Sequence, residues 1–249
     1  MAIKVVIVGA SGRMGAVASR CLAADPRFEI AGRVGRVEAD GVESDLEACL
    51  NRTSPDVLLE LTTGRTAGAH SLLALRRGVR VVIGSTGLPQ VELDEIEKAA
   101  TGSAAFLVPN FAVGAVLMMH FAGLASAWLP DAEIIELHHE KKVDAPSGTA
   151  MRTAQIIQES RTCEALALPE PLLKAEGARG ARVNEVPVHS VRLRGMLAHQ
   201  EVLFGGQGEV LTIRHDSLDR SSFESGICLS CEKVMEMSGL VVGLESVMF

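Results

Sequence analysis

Two histidines and two lysines lie within one short segment, residues 138–142, whose sequence is His-His-Glu-Lys-Lys. An imidazole can donate or accept a proton near neutral pH, and a lysine ammonium can hold a carboxylate. Ser147 follows at a position typical of a helix N-cap, and the backbone N–H groups of Gly148 and Thr149 would then have no acceptor within the helix. The segment therefore predicts a proton donor beside an anion-binding helix start.

Two simpler interpretations of the histidine pair stay open on the residues alone. His138 and His139 can form the solvent-facing end of a strand, or they can belong to a metal site. Since no third ligand of suitable spacing accompanies them in the sequence, we predict that the protein holds no metal.

Three glycines, Gly9, Gly12 and Gly15, follow a short apolar run and precede apolar residues at helical spacing. A strand, such a glycine loop and a helix are typical of dinucleotide-binding proteins, because the glycines let the backbone approach a pyrophosphate. The helix start also supplies free N–H groups. The alternative is a turn that requires glycine for its conformation alone.

The end of the next strand indicates which dinucleotide binds. Gly35 stands about 20 residues beyond the loop, where an acidic residue would bind a ribose 2′-hydroxyl. Arg33 and Arg36 flank Gly35, and an arginine suits a 2′-phosphate. This favours NADPH, with NADH as the alternative. Glu38 is close enough in sequence to bind a ribose instead, and two solvated arginines are the remaining interpretation.

The hydrophobic pattern predicts the elements that must position these residues. Strands at 3–8, 29–34, 56–61, 79–83 and 104–108 alternate with helices, among them helices at 45–51, 70–77 and 91–100, which indicates a parallel sheet with crossover helices. After residue 114 the pattern predicts the following elements: a helix at 116–128, a strand at 132–139, a helix at 146–159, an irregular stretch at 161–181, strands within 186–215, a helix at 223–237 and a strand at 240–242. The fold class is therefore α/β, with a nucleotide domain at 1–112 plus 222–249 and a second, α+β domain at 113–221.

Composition limits the classes of function. The 249 residues include 24 Lys plus Arg and 31 Asp plus Glu, for a net charge of −7, so we expect no nucleic-acid partner. The stretch Thr101–Pro130 has no charged side chain, but Pro109 and Asn110 interrupt it, and we expect no membrane span and a cytoplasmic location. The Cys228/Cys231 pair lies in a helix-like run, where packing is the favoured role.

The segment Glu136–Ala150 also carries the pattern E-x-H-H-x-x-K-x-D-A-P-S-G-T-A. By this signature the chain resembles the 4-hydroxy-tetrahydrodipicolinate reductase (dihydrodipicolinate reductase) family, and the resemblance extends over essentially its whole length. It implies a Rossmann-type domain and a substrate domain that builds a homotetramer through its sheet. The implied activity is NAD(P)H-dependent reduction of 4-hydroxy-tetrahydrodipicolinate, with loss of water, in lysine and diaminopimelate biosynthesis.

The resemblance also implies site residues. His138 and Lys142 take the catalytic positions, and His139, Gly148 and Thr149 take positions that bind the small cyclic dicarboxylate substrate. The positions implied to contact the cofactor are Gly9, Ala10, Ser11, Gly12, Arg13, Met14, Arg36, Gly84, Ser85, Thr86, Val108, Pro109, Asn110 and Phe111. One departure lies at the end of the third strand, another stretch implied to contact the cofactor, where many members have Asp-Phe-Thr and this chain has Glu60-Leu61-Thr62-Thr63.

Two other functions are alternatives on the residues. A thiol-dependent semialdehyde dehydrogenase needs an exposed, activated cysteine, and none of Cys21, Cys49 and Cys163 stands in such a setting in the sequence. A nucleotide-sensing binding module needs no histidine–lysine pair beside an anion-binding helix start.

Overall fold

The computed structural model describes residues 1–36, 38, 41–166 and 172–249. These residues fall into two compact units, Met1–Val113 with Arg220–Phe249 and Gly114–Asp219.

The strands of the described residues are β1 (Ile3–Val8), β2 (Phe28–Val34), β3 (Val57–Glu60), β4 (Arg80–Ile83), β5 (Ala104–Leu107), β6 (Asp131–His138), β7 (Ala181–Val183), β8 (Val186–Arg192), β9 (Ala198–Gly206), β10 (Glu209–Ser217) and β11 (Gly239–Val242). The α-helices are α1 (Arg13–Ala24), α2 (Leu46–Thr53), α3 (Gly64–Leu75), α4 (Gln90–Ala99), α5 (Val113–Ser126), α6 (Gly148–Ser160) and α7 (Glu224–Lys233). Short 3-10 helices cover Ala100–Gly102, Arg220–Phe223, Val234–Glu236 and Leu244–Val247.

The first unit is built on a parallel sheet in the order β11-β5-β4-β3-β1-β2. Its central strands are buried on both faces, since every residue of Val5–Ile7, Val57–Leu59 and Val81–Ile83 is fully buried. Continuous apolar runs are what a strand covered by helices on both sides requires. β1 lies between β2 and β3, so the strand order reverses there, and the carboxyl ends of such strands form a crevice.

The second unit has a mixed sheet in the order β10-β9-β6-β8-β7. β6 is central, with β8 parallel on one side and β9 antiparallel on the other. The face that carries Glu136 and Gln200 lies toward α6, because the Gln200 Nε2 donates to Thr153 Oγ1 at 2.7 Å. The fold class predicted from the sequence, a parallel-sheet domain with a second α+β domain, is confirmed.

The structure corrects several predicted boundaries. α3 begins at Gly64 and not at residue 70, because its buried face is made of the small side chains of Ala67, Gly68 and Ser71, which give no apolar periodicity. α5 begins and ends earlier than predicted. The predicted helix at 223–237 is α7 followed by a 3-10 turn. Residues 167–171 of the predicted irregular stretch lie outside the described residues.

None of the helices in the described ranges combines the length and the apolar character that a membrane crossing needs.

Candidate functional site

The glycine loop between β1 and α1 is a turn that side chains at two positions would block. Gly9 has a φ of +84°, and a Cβ there would lie 2.8 Å from the carbonyl oxygen of Leu61. A Cβ on Gly15 would lie 2.3 Å from the Gly9 oxygen. Gly12, by contrast, has an ordinary φ of −82° and is the exposed N-cap of α1. Its lack of a side chain leaves the helix start open, as a bound pyrophosphate requires.

The end of β2 lies beside this loop. A Cβ on Gly35 would lie 3.0 Å from the Ser11 Oγ, so a side chain at this position would face the glycine turn. Arg36 follows and is exposed. Arg33 differs, because its Nε donates to Ser19 Oγ of α1 at 3.4 Å. Of the two flanking arginines, Arg36 therefore has the more exposed side chain.

A pocket of the first unit lies at the carboxyl ends of its parallel strands. It is lined by Met14, Leu61, Thr62, Thr63, Gly64, Gly84, Ser85, Thr86, Pro109, Asn110, Phe111 and Phe223. Seven of the predicted cofactor positions line it: Met14, Gly84, Ser85, Thr86, Pro109, Asn110 and Phe111. Gly9, Ala10, Ser11, Gly12, Arg13 and Arg36 do not line it, and Val108 is fully buried. The sequence placed a departure from the family pattern at the stretch after β3 but assigned none of its residues to the site, although the end of a central parallel strand is a signal for it.

The histidine–lysine segment joins β6 to α6 in the second unit. His138 is the last residue of β6, and Gly148 and Thr149 are the first two residues of α6. Ser147 caps the helix, since its Oγ accepts from the Ala150 N–H at 3.1 Å. The first-turn N–H groups of a helix have no acceptor inside it, and the helix dipole is positive there. The N-cap prediction for Ser147 is confirmed.

A buried carboxylate, Glu136, organises this segment. Its side chain is fully buried, and its Oε2 contacts the His138 Nδ1. Arg192 binds both of its oxygens, each at 2.9 Å, and the Ser147 N–H donates to its Oε1 at 3.2 Å. Burial acts to raise the pKa of Glu136, but the hydrogen bonds from His138 and Arg192 outweigh it and lower the pKa to about 2. Glu136 is therefore ionised, and His138 carries its Nδ1 proton toward it.

Lys142 and His139 offer groups beside this network. The Lys142 Nζ donates to both oxygens of Asp144, at 2.9 and 2.7 Å, and this ammonium lowers the pKa of the Asp144 carboxyl. Arg192 holds the same loop through the Asp144 carbonyl oxygen at 2.6 Å. Within the described part of the chain, the buried His139 Nδ1 has no hydrogen-bond partner. A ligand with carboxylates would meet an ammonium, an imidazole and a helix start here.

Glu136 and Arg192 are absent from the site residues inferred from the sequence. Glu136 had one available signal, since residues two apart on a strand share a face and Glu136 precedes His138 by two. Arg192 had no local signal, because it comes from β8, where it pairs with His138 across the sheet.

The cysteines do not form a thiol site of the kind that a semialdehyde dehydrogenase requires. Cys21, Cys49, Cys228 and Cys231 are buried, and burial raises the pKa of Cys49 and of Cys231. Cys163 is exposed but does not line the pocket of the first unit or contact Glu136.

The whole chain matches models of one family. Residues 3–111 match "Dihydrodipicolinate reductase, N-terminus", and residues 114–248 match "Dihydrodipicolinate reductase, C-terminus". Proteins named 4-hydroxy-tetrahydrodipicolinate reductase are similar throughout. The one from Bacillus pumilus is 46% identical, over 98% of this chain and 97% of that protein. The one from Geobacillus thermodenitrificans is 46% identical over 100% of both chains.

Solved structures agree with these matches. A dipicolinate-bound dihydrodipicolinate reductase from Paenisporosarcina sp. TG-14 superposes with a TM-score of 0.91 and 42% identity, over 99% of this chain and 100% of that one. An amine dehydrogenase from Mycobacterium smegmatis reaches a TM-score of 0.65 at 13% identity, over 96% of this chain and 94% of that one, which shows a shared fold alone. The family model matches and the full-length relatives together show that this chain is an oxidoreductase and belongs to the dihydrodipicolinate reductase family.

Proposed function

We propose that this chain catalyses the NAD(P)H-dependent reduction of 4-hydroxy-tetrahydrodipicolinate to tetrahydrodipicolinate, in lysine and diaminopimelate biosynthesis in the cytoplasm. The reaction adds one hydride and one proton to the substrate and releases one water. The observation that carries the proposal is His138, held by the buried Glu136 carboxylate beside Lys142 and the start of α6. Full-length relatives bearing the corresponding name support it.

The first unit has the features that a dinucleotide cofactor requires, and NAD(P)H, when bound, supplies the hydride. We assign the pyrophosphate to the exposed Gly12 backbone at the start of α1. The nicotinamide end is assigned to the pocket lined by Gly84, Ser85 and Asn110. Arg36, exposed beyond Gly35, is assigned to a 2′-phosphate, which makes NADPH the proposed cofactor and NADH the alternative.

His138 is the proposed proton donor to the reduced substrate. The ionised Glu136 accepts the Nδ1 proton, which leaves Nε2 as the nitrogen that can deliver a proton. Arg192 binds the same carboxylate on both oxygens and holds it in this orientation.

The two substrate carboxylates need fixed donors, and the second unit offers them. Lys142, His139 and the backbone N–H groups of Gly148 and Thr149 are the proposed donors. Lys142 is paired with Asp144 in this structure, so a substrate carboxylate would compete with Asp144 for the Nζ group.

The proposed assembly is a homotetramer formed through the sheet of the second unit. Glu136 and Gln200 face α6, and the opposite face of the sheet carries Ile135, Leu137 and Leu203, together with Glu133 and Glu201. These apolar side chains are only half-buried in the single chain. Covering them against other copies would remove apolar surface from water.

A direct assay tests the function. Freshly prepared 4-hydroxy-tetrahydrodipicolinate is mixed with the purified protein, and the oxidation of NADPH and of NADH is followed by absorbance in turn. We expect oxidation that depends on the substrate, with NADPH used at least as well as NADH. Binding of cofactor without any turnover would instead support the nucleotide-sensing module.

His138→Gln tests the acid. Glutamine keeps a hydrogen-bonding group but cannot supply a proton near neutral pH, so we expect kcat to fall about 10²–10⁴-fold. The Kd for NADPH, measured by calorimetry, should stay unchanged because the glycine loop is untouched.

Two neighbouring lysines provide a matched pair of further variants. Lys142→Ala should lower kcat and raise the KM for the substrate. In the double variant with His138→Gln, kcat should fall by less than the product of the two single fold-decreases. Lys141→Ala, an exposed neighbour outside the signature, should leave both constants near wild type. Near-normal turnover of His138→Gln at saturating substrate would mean that another group is the acid.

A further inference from the structure

Glu60, the last residue of β3, is a fully buried carboxylate beneath the pocket of the first unit. Its Oε1 accepts from the Thr62 N–H at 3.1 Å and contacts the Thr62 hydroxyl, and it lies 3.3 Å from the His70 Nδ1. Its Oε2 accepts from the Ser85 hydroxyl at 2.5 Å. Two of these partners, Thr62 and Ser85, also line the pocket.

These contacts fix the direction of both hydroxyl groups. The Ser85 and Thr62 hydroxyls both donate to Glu60 carboxylate oxygens, so the Ser85 proton and the Thr62 proton both lie toward Glu60. The Thr62 Oγ1 is also 2.8 Å from the Thr66 Oγ1, and with its own proton committed, Thr62 accepts from Thr66. Ser85 is therefore left with lone pairs and no proton to offer the pocket.

We propose that Glu60 is a specificity-determining positioning residue, which orients the Ser85 hydroxyl so that the pocket presents a hydrogen-bond acceptor to its ligand. This inference rests on the proposed function, in which the pocket takes the nicotinamide end of the cofactor. A carboxamide NH₂ is a donor that such an acceptor binds. An acetyl group in the same place has no N–H and gains nothing from Ser85.

Glu60→Gln reverses this polarity at one atom. The amide oxygen belongs at the Oε1 position, because the Thr62 N–H, the Thr62 hydroxyl and His70 all meet there. The amide NH₂ then takes the Oε2 position and faces Ser85. Ser85 must accept from it, and its own proton turns away from Glu60, toward the pocket.

The test measures three dissociation constants by calorimetry: NADPH, its 3-acetylpyridine analogue, and 2′-phospho-ADP-ribose, which lacks the nicotinamide ring. Wild type is expected to prefer NADPH to the analogue. Glu60→Gln should weaken the binding of NADPH about three- to tenfold relative to the binding of the analogue, as the loss of one hydrogen bond predicts. Binding of 2′-phospho-ADP-ribose should stay unchanged, which also shows that the variant is folded. Glu97→Gln, on the exposed side of α4, removes the same charge and should alter none of the three.

Ser85→Ala is the second variant, and it leaves Glu60 in place. It removes the acceptor itself and should also lose the preference for NADPH over the analogue. In the double variant, Glu60→Gln with Ser85→Ala, this preference should fall no further than in either single variant. An unchanged preference in Glu60→Gln or in Ser85→Ala would overturn the inference. Wild type that fails to bind even 2′-phospho-ADP-ribose would overturn the proposed function and this inference with it.

Discussion

Glu136 keeps a charge that burial disfavours. Its pKa of about 2 lies below the ordinary value of 4.5, because the hydrogen bonds from His138 and Arg192 exceed the effect of burial. A depressed carboxyl pKa contributes stability that is present above the unfolded value and is lost as the pH falls toward the folded value. A shift of this size corresponds to on the order of 3 kcal/mol, present above about pH 5 and lost toward about pH 2.

Glu136→Gln removes the charge and keeps the shape. We expect kcat to fall about 10- to 100-fold, because a charge-assisted hydrogen bond to His138 contributes about 1.5–3 kcal/mol. The variant should be less stable than wild type at neutral pH, and urea titrations should show this gap in unfolding free energy narrowing from about pH 5 to about pH 2.

The control for Glu136→Gln is Glu140→Gln, an exposed neighbour of the same type. It should leave kcat and the pH dependence of stability unchanged. A gap in unfolding free energy that stays constant over the acidic range would contradict the role assigned to the Glu136 charge.

Arg33 and Arg36 lie three positions apart in the sequence but differ in their surroundings. Arg36→Ala should raise the KM for NADPH about tenfold or more and leave the KM for NADH nearly unchanged, since a charge-assisted phosphate contact contributes about 1.5–3 kcal/mol. Arg33→Ala, which removes a contact to Ser19 of α1, should change the two constants equally. Steady-state kinetics with each cofactor measures these KM values. Equal effects of Arg36→Ala on the KM for NADPH and the KM for NADH would contradict the 2′-phosphate assignment.

At the scale of elements, the β1–α1 turn contains one glycine that folding requires and another that we assign to binding. Gly15 has no room for a side chain, whereas a Cβ on Gly12 would meet one atom, the Gly9 oxygen at 3.1 Å. The same short loop therefore contains one glycine required by the turn and one whose exposed position suits a ligand.

Gly12→Val should fold with a loss of about 1 kcal/mol, because valine is a poor N-cap, and should bind NADPH too weakly for calorimetry to detect. Gly15→Ala should lose more stability, about 1–3 kcal/mol, because its Cβ overlaps backbone atoms. Thermal unfolding measures the stability of both variants, and calorimetry measures their affinity for NADPH. Wild-type NADPH affinity in Gly12→Val would show that the loop does not bind the pyrophosphate.

At the scale of the whole molecule, the sheet of the second unit leaves apolar side chains half-buried on the face opposite α6. Leu203→Glu should break the proposed homotetramer into smaller species, because Glu133 lies directly opposite on β6 and burying a second carboxylate beside it costs several kcal/mol of desolvation. Sedimentation velocity at micromolar concentration measures this. Val91→Glu is the control, since Val91 is 69% exposed on α4 of the other unit. A wild-type monomer would contradict the assembly.

The sequence by itself determined the elements and the chemistry of contiguous segments. The glycine loop, the alternating strands and helices and the 138–149 segment depend on neighbouring residues, so spacing and residue type were enough to predict them. α3 was predicted too short because small buried side chains carry no apolar pattern.

Only the tertiary structure decided which distant residues support those segments. Arg192 reaches Glu136 across 56 positions because β8 pairs with β6 in one register, and Ser85 reaches Glu60 across 25 because β4 lies next to β3. The sequence showed Glu60 as no more than a departure from a family pattern. Strand order and register arise from the packing of the whole sheet, so no local pattern encodes which carboxylate meets which hydroxyl or guanidinium.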